Sequence, residues 1–154
     1  MKIERKYLAH YILCGEGVYV RLGKDLEEFS PELSAQVEKS KNILGETSVA
    51  ISGYEKTGAV EPYFAEKGDP LFEKLQAIID GDLVLEDLKT SVVEVKLWEE
   101  QENGFPAVEE EAYIEVTGYG GDTAGYQIPF TLHYTGVKKK GTFNPDTKTF
   151  TVGN

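Results

Sequence analysis

Apolar and polar residues alternate along much of this chain, as they do in strands with one buried face. "VYVRLG", Val18 to Gly23, is the first such run. "ELSAQVEKSKN" sets Leu33, Ala35 and Val37 against Ser34, Gln36 and Glu38, and "SVAISGYE" puts Val49 and Ile51 on one face. In "TSVVEVKLWEE", Val93, Val95 and Leu97 oppose Val92, Glu94, Lys96 and Trp98. "AVEEEAYIEVTGYG" turns Val108, Ala112, Ile114 and Val116 inward, and Glu109, Glu111, Tyr113, Glu115 and Thr117 the other way. "GYQIPFTLHYTG" gathers Tyr126, Ile128, Phe130, Leu132 and Tyr134 opposite Gln127, Thr131 and His133, with Pro129 marking a free edge or a bulge. "VKKKGTFNPDTKTFTV" reads as a hairpin about Asn144, Pro145 and Asp146, flanked by Phe143 and Phe150.

One segment has the helical period instead. In "GDPLFEKLQAIIDGD", Asp69 is a good N-cap and Pro70 suits the first helical position. Leu71, Phe72, Leu75, Ile78 and Ile79 form one apolar stripe, and Gly81 supplies a left-handed end. The spacing predicts a helix over about 69–80, docked on a sheet because so short a helix is marginal alone. The elements together predict a mainly β fold: an antiparallel β-sandwich or partly closed barrel with one flanking α-helix. No repeat or low-complexity linker divides the chain, so a single domain over 1–154 is expected, preceded by a flexible N-terminal arm at about 1–14.

Two stretches do not fit a solitary globule. "KSKNILGET" carries Ile43 and Leu44 beside the turn-forming Gly45, and "GAVEPYFAEKGDPL" holds Tyr63 and Phe64 among glycines, prolines and charges. Either these groups fold back on their own core, or another subunit buries them, as aromatics often are at contacts.

Charge sharpens the choice of partner. The chain has 154 residues and a formal net charge of −11, so as a whole it repels phosphate. Its densest basic run is Lys138, Lys139 and Lys140. Cys14 is the single cysteine and forms no internal bridge. The basic start lacks both an uninterrupted apolar run and a cleavage site, and no stretch reaches membrane-spanning length, so a soluble, cytoplasmically made chain is expected.

Candidate chemistry is thin. His10 and His133 each stand apart from other ligand types, Cys14 lacks a CxxC partner, and "GYGGDTAG" leads into a strand rather than a helix N-terminus. "DGDLVLED" gathers acids after the helix without the spacing of a calcium loop. Paired glutamates of the glycosidase kind arise by chance among 27 acids. No catalytic residue, cofactor site or metal site is expected.

The phrases "KNILGETSVAISGYE", "VEPYFAEKGDPLFEKLQAIIDG", "GGDTAGYQIPFTLHYTG" and "KGTFNPDTKTFT", in this order, resemble tail tube (major tail) proteins encoded by prophages of Gram-positive bacteria. The resemblance runs from about Tyr19 to Val152 and extends to the related secretion-system tube proteins. It implies a structural subunit that self-assembles into stacked hexameric rings, binds other tail proteins and forms a conduit through which DNA passes without specific binding. It implies no membrane partner, no small-molecule substrate, and a place in the virion tail after synthesis in the bacterial cytoplasm. On this basis a long loop at about 39–66 would serve assembly, with Ile43, Leu44, Tyr63 and Phe64 as anchors. Lys138, Lys139 and Lys140 would meet acids of a neighbouring subunit, and Glu109, Glu111 and Glu115 would line the lumen. A carbohydrate- or protein-binding β-sandwich module and a tube subunit of a contractile injection system stay open as alternatives.

Overall fold

The computed structural model describes residues 1–24, 26, 28–102 and 104–153. Ten strands and one α-helix follow in the order β1 (Leu8–Gly15), β2 (Val18–Leu22), β3 (Glu32–Lys41), β4 (Thr47–Val60), α1 (Pro70–Gly81), β5 (Lys89–Lys96), β6 (Phe105–Val116), β7 (Gly120–Asp122), β8 (Gly125–Gln127), β9 (Phe130–Asn144) and β10 (Thr149–Val152). Eight of the strands make one antiparallel sheet in the spatial order β2-β1-β5-β6-β9-β4-β3, with β10 also on β9. β2 and β3 end the series, so the sheet is open rather than closed into a barrel. β7 and β8 form a small separate hairpin.

The mainly β architecture and the single helix agree with the pattern of the sequence. Asp69 caps α1 by accepting from the Leu71 N–H at 3.0 Å, and Pro70 opens it. Leu71, Leu75 and Ile78 are its buried stripe. The left-handed residue at its end is Asp82, at φ 47°, and not Gly81. A short acidic side chain tolerates that conformation, and Gly81 stays within the last turn. The Phe143–Phe150 hairpin forms as expected, with the two rings directly opposite.

Two expectations are corrected. Residues 8–14 are no flexible arm but belong to β1, which lies between β2 and β5. Ala9, Tyr11 and Ile12 are all buried, with His10 among them. A strand covered on both faces shows no alternation, so its period is silent. The stretch 39–66 is no long loop either: the end of β3 and all fourteen residues of β4 fall in it, leaving only the turn at 42–46 and the link at 61–66.

The core has two layers. On one face Ile12, Val92, Ile114, Phe130 and Leu132 pack under α1. On the other, Tyr11, Val93, Val95, Ala107 and Phe143 pack together with Tyr19, Phe105 and Phe150. Beyond the reach of α1 the first face carries polar groups, at His10, Glu94 and Glu110.

Candidate assembly surface

β4 pairs with β9 only through Thr57 to Val60. From Lys56 back to Thr47 its sole partner is β3, which has no other neighbour and is exposed over all ten residues. The chain thus extends a two-stranded ribbon beyond the sheet. Such a ribbon is marginal in isolation and presents a long edge that invites pairing.

The register decides which side chains share a face. Leu33 is opposite Lys56, Ala35 opposite Tyr54, Val37 opposite Ile51 and Lys39 opposite Val49, with a bulge near Ser52 that restores the phase. Leu33, Ala35, Val37, Val49, Ile51 and Tyr54 therefore line one side, and Ser34, Gln36, Glu38 and Glu55 the other. The apolar side is open: Leu33 is 63 % exposed and Tyr54 61 %. At the tip the Asn42 carboxamide oxygen accepts from the N–H groups of Leu44 (2.9 Å) and Glu46 (3.0 Å), and Gly45 takes φ 84°. This turn leaves Ile43 and Leu44 in solvent, as their sequence context predicts. The alternation of β3 and β4 was legible in the sequence. What it does not encode is that no element among the described residues covers the apolar side.

Tyr63 and Phe64 differ from the hairpin tip. Tyr63 packs against the core under α1, edge-on to Phe130 at 6.1 Å, and its hydroxyl donates to Asp69 Oδ2 at 2.6 Å. Burial and the Asp69 carboxylate push the phenol well above its ordinary pKa. Phe64 is half-buried, bridges to Gln127 and closes against Gly125. Both aromatics thus contribute to the subunit's own packing.

Lys56 marks the root of the ribbon. Its ammonium lies 2.9 Å from Glu110 Oε1, 3.9 Å from Glu94 Oε2 and 4.6 Å from the centre of the Tyr134 ring. Glu110 is only 4 % exposed, in phase with Val108, Ala112 and Ile114 and opposed to Glu109 and Glu111. Glu110 and Ala112, two residues apart on a regular strand, both face the helix side; the irregularity at this point lies on β9, where Lys138 and Tyr134 stand farther apart in sequence than the β6 residues they oppose. His10, 3 % exposed, lies 3.6 Å from Glu94. His10 is the main group that holds the Glu94 carboxyl below the ordinary range, with Lys56 and Lys96 assisting against desolvation.

The three lysines do not act as one patch. Lys138 and Lys140 line a cleft of about 260 Å³ together with His10, Lys56, Glu94 and Tyr134. Lys139 is paired in register with Glu109 on the opposite face. Glu109, Glu111 and Glu115 do turn away from α1, and each has a partner: Tyr19 Oη donates to Glu109 at 2.9 Å, Lys89 lies 3.2 Å from Glu111, and His133 lies 2.6 Å from Glu115. Burial and that bond to Glu109 push the Tyr19 phenol up to about 12. Burial likewise pushes the Cys14 thiol up to about 12, so it is no ready nucleophile. Among the described residues no group of His, Cys, Asp or Glu is arranged to hold a metal, and no helix is long and apolar enough to cross a membrane.

No protein-family model and no curated protein matches the chain. Solved structures do. The SPP1 tail tube, determined by solid-state NMR and cryo-EM, superposes with a TM-score of 0.68 over 93 % of this chain and 81 % of its own, at 13 % identity. The anti-feeding prophage cap, which terminates a tube, superposes with a TM-score of 0.57 over 92 % of both chains, at 8 % identity. At these identities the likeness is one of fold, and that fold is the one the sequence resemblance implies.

Proposed function

We propose that the protein is a structural subunit of a phage or prophage tail tube, a single tail-tube-like domain that associates with copies of itself into stacked hexameric rings. The observation that carries this reading is the β3–β4 ribbon, one side of which gathers Leu33, Val37, Val49, Ile51 and Tyr54 with no covering element among the described residues. A row of apolar groups on an exposed two-stranded ribbon is stable in water only where a partner buries it. The hairpin tip, with Ile43 and Leu44, extends the same surface. The fold shared with the SPP1 tail tube supports the choice of a tube over a carbohydrate-binding sandwich, and the fold shared with the anti-feeding prophage cap supports an injection-type tube as the nearest relative of this reading.

The conduit is part of the proposal. A net charge of −11 supports a lumen along which DNA slides without sticking, lined by Glu109, Glu111 and Glu115 on the face away from α1. Other tail proteins would cap and start the tube, within the virion tail. Electron microscopy of the purified protein over a concentration series tests the assembly, with rings or tubes expected at high concentration. Particles that stay monomeric up to the solubility limit, even with tail-initiating proteins added, overturn it. Filter binding of duplex DNA at low salt tests the conduit, with no retention expected.

A further inference from the structure

Two surfaces at opposite ends of β5 are left unexplained by the ribbon. Over its second half lies the cleft of His10, Lys56, Glu94, Glu110 and Tyr134 with Lys96, Lys138 and Lys140, four ammonium groups against two carboxylates in a strongly acidic chain. Within it the Tyr134 hydroxyl is buried and has no hydrogen-bond partner among the described residues, and the His10 Nε2 has only the Glu94 carboxylate, at 3.6 Å. Buried polar atoms normally find one, so the Tyr134 hydroxyl marks a polar place that the subunit leaves open. Lys138 and Lys140 make no ion pair among the described residues. The remaining partners are already engaged, since Lys56 binds Glu110 and His10 faces Glu94.

Before the first residue of β5 is the acidic turn "DGDLVLED", residues 80–87. Among the described residues Asp82 and Asp87 are exposed without an ion pair and Glu86 accepts only from the Tyr113 hydroxyl, and between them Val84 and Leu85 stand in solvent. Leu85 is 78 % exposed and sits at φ 56°, in the left-handed region that bulky residues avoid. A strained backbone that holds a large apolar side chain outward points to a contact rather than to packing within the subunit.

We infer that the acidic turn at 80–87 of one subunit docks on a second copy, its carboxylates entering the Lys138–Lys140 cleft and Val84 and Leu85 meeting the apolar side of the ribbon. The inference rests on the assembly reading and names the two surfaces that join. Charge and apolar character are complementary on both counts. Lys56 and Tyr54 lie on the same side of the ribbon as Leu33 and Val37, so cleft and apolar row are continuous. The turn precedes Lys89, the first residue of β5, and the cleft runs along the same strand from Val92 to Lys96, so the two surfaces are distinct. Different surfaces at opposite ends make the contact head-to-tail, the type that closes into rings or runs on as filaments.

The test is a charge exchange. Lys138→Glu with Lys140→Glu reverses the cleft, and Glu86→Lys with Asp87→Lys reverses the turn. All four positions are exposed, so each variant keeps the parent's thermal unfolding, which is measured first. Each variant alone opposes like charges and should need about tenfold more protein, or more, to form particles. A one-to-one mixture restores both complementary contacts and should assemble near the parent's concentration, as read by sedimentation and electron microscopy. In parallel, carbodiimide coupling of a mixed ¹⁴N and ¹⁵N population of the unmodified protein should yield mixed-isotope links from Lys138 or Lys140 to Asp82, Glu86 or Asp87. If the parent assembles and the variants assemble equally well, or the mixed links avoid both surfaces, this inference is overturned while the assembly reading stands. If the parent forms neither particles nor any mixed-isotope link, both are overturned.

Discussion

The β6–β9 pair and the β3–β4 pair follow the same period-two code, and they meet opposite environments. In the first, Ala112, Ile114, Phe130 and Leu132 lie under α1 and are fully buried. In the second, Leu33, Val37, Val49 and Ile51 repeat the pattern in solvent. The difference is not in the strands. It lies in whether the chain provides a second layer: α1 covers one end of the sheet face, and nothing among the described residues covers the ribbon. Alternation reports that a face is meant to be buried but is silent on which molecule buries it. Each prediction below perturbs one side of that contrast.

The covered side should respond most. Leu75→Ala removes a fully buried side chain of α1 and should cost roughly 2–5 kcal/mol through the cavity it leaves. Thermal or urea unfolding measures it, and an unchanged midpoint would mean that the α1 stripe is not part of the subunit's core.

Next come the polar groups at the boundary. Glu110→Ala leaves the Lys56 ammonium with only the more distant Glu94 carboxylate, and should cost about 2–3 kcal/mol, less than a fully buried pair because Lys56 keeps that partner and some contact with water. Urea unfolding against Glu110→Gln, expected to lose less, separates the charge from the hydrogen bond. Tyr63→Phe removes only the hydroxyl donated to Asp69 and should cost about 1 kcal/mol. A loss of assembly at unchanged stability would return Tyr63 to the interface that its loop context implied.

How far the fold could be read in advance follows the same division. Helix α1 was legible because cap, proline and stripe agree at one place. The strands with one wet face were legible by their period. β1 was not, because Ala9, His10, Tyr11 and Ile12 are buried on both faces and no period survives. Glu110 was not, because it follows the inward period of Ala112 and Ile114 as a charge, and the Lys56 ammonium that compensates it comes from β4, distant in sequence. Tyr63 and Phe64 read as exposed because their neighbours are loop formers, and only the docking of 61–66 against Phe130 and Gly125 shows otherwise. On the candidate site, Ile43 and Leu44 were visible from composition. The apolar row of the ribbon was visible as a pattern but not as a surface.

Acid should weaken the boundary before it touches the ribbon. The Glu94 carboxyl is held below its ordinary value of 4.5 by His10. A depressed carboxylate adds stability above the unfolded pKa, and that stability is lost as pH falls through the folded pKa. The unfolding midpoint of the parent should therefore drop below about pH 4.5, and Glu94→Gln should flatten that limb. An equal acid limb in the variant would assign the loss to other carboxylates.

The smallest effect on the subunit is expected where the effect on assembly is greatest. Val37→Thr with Ile51→Thr keeps two β-branched side chains on facing positions, so strand preference is retained. Both residues are about half exposed, and substitutions of this kind away from a core usually stay within about 0.5 kcal/mol. Unfolding of the isolated subunit should therefore hardly change. Between subunits the same two hydroxyls would have to be desolvated against an apolar surface, at about 1–3 kcal/mol each. Rings or tubes should then require much higher protein concentrations, as read by sedimentation alongside the unfolding curves. A large fall in stability would mean that the ribbon's apolar side is covered within its own subunit. Unchanged stability with unchanged assembly would leave the row without a partner and remove the observation on which the assembly reading rests.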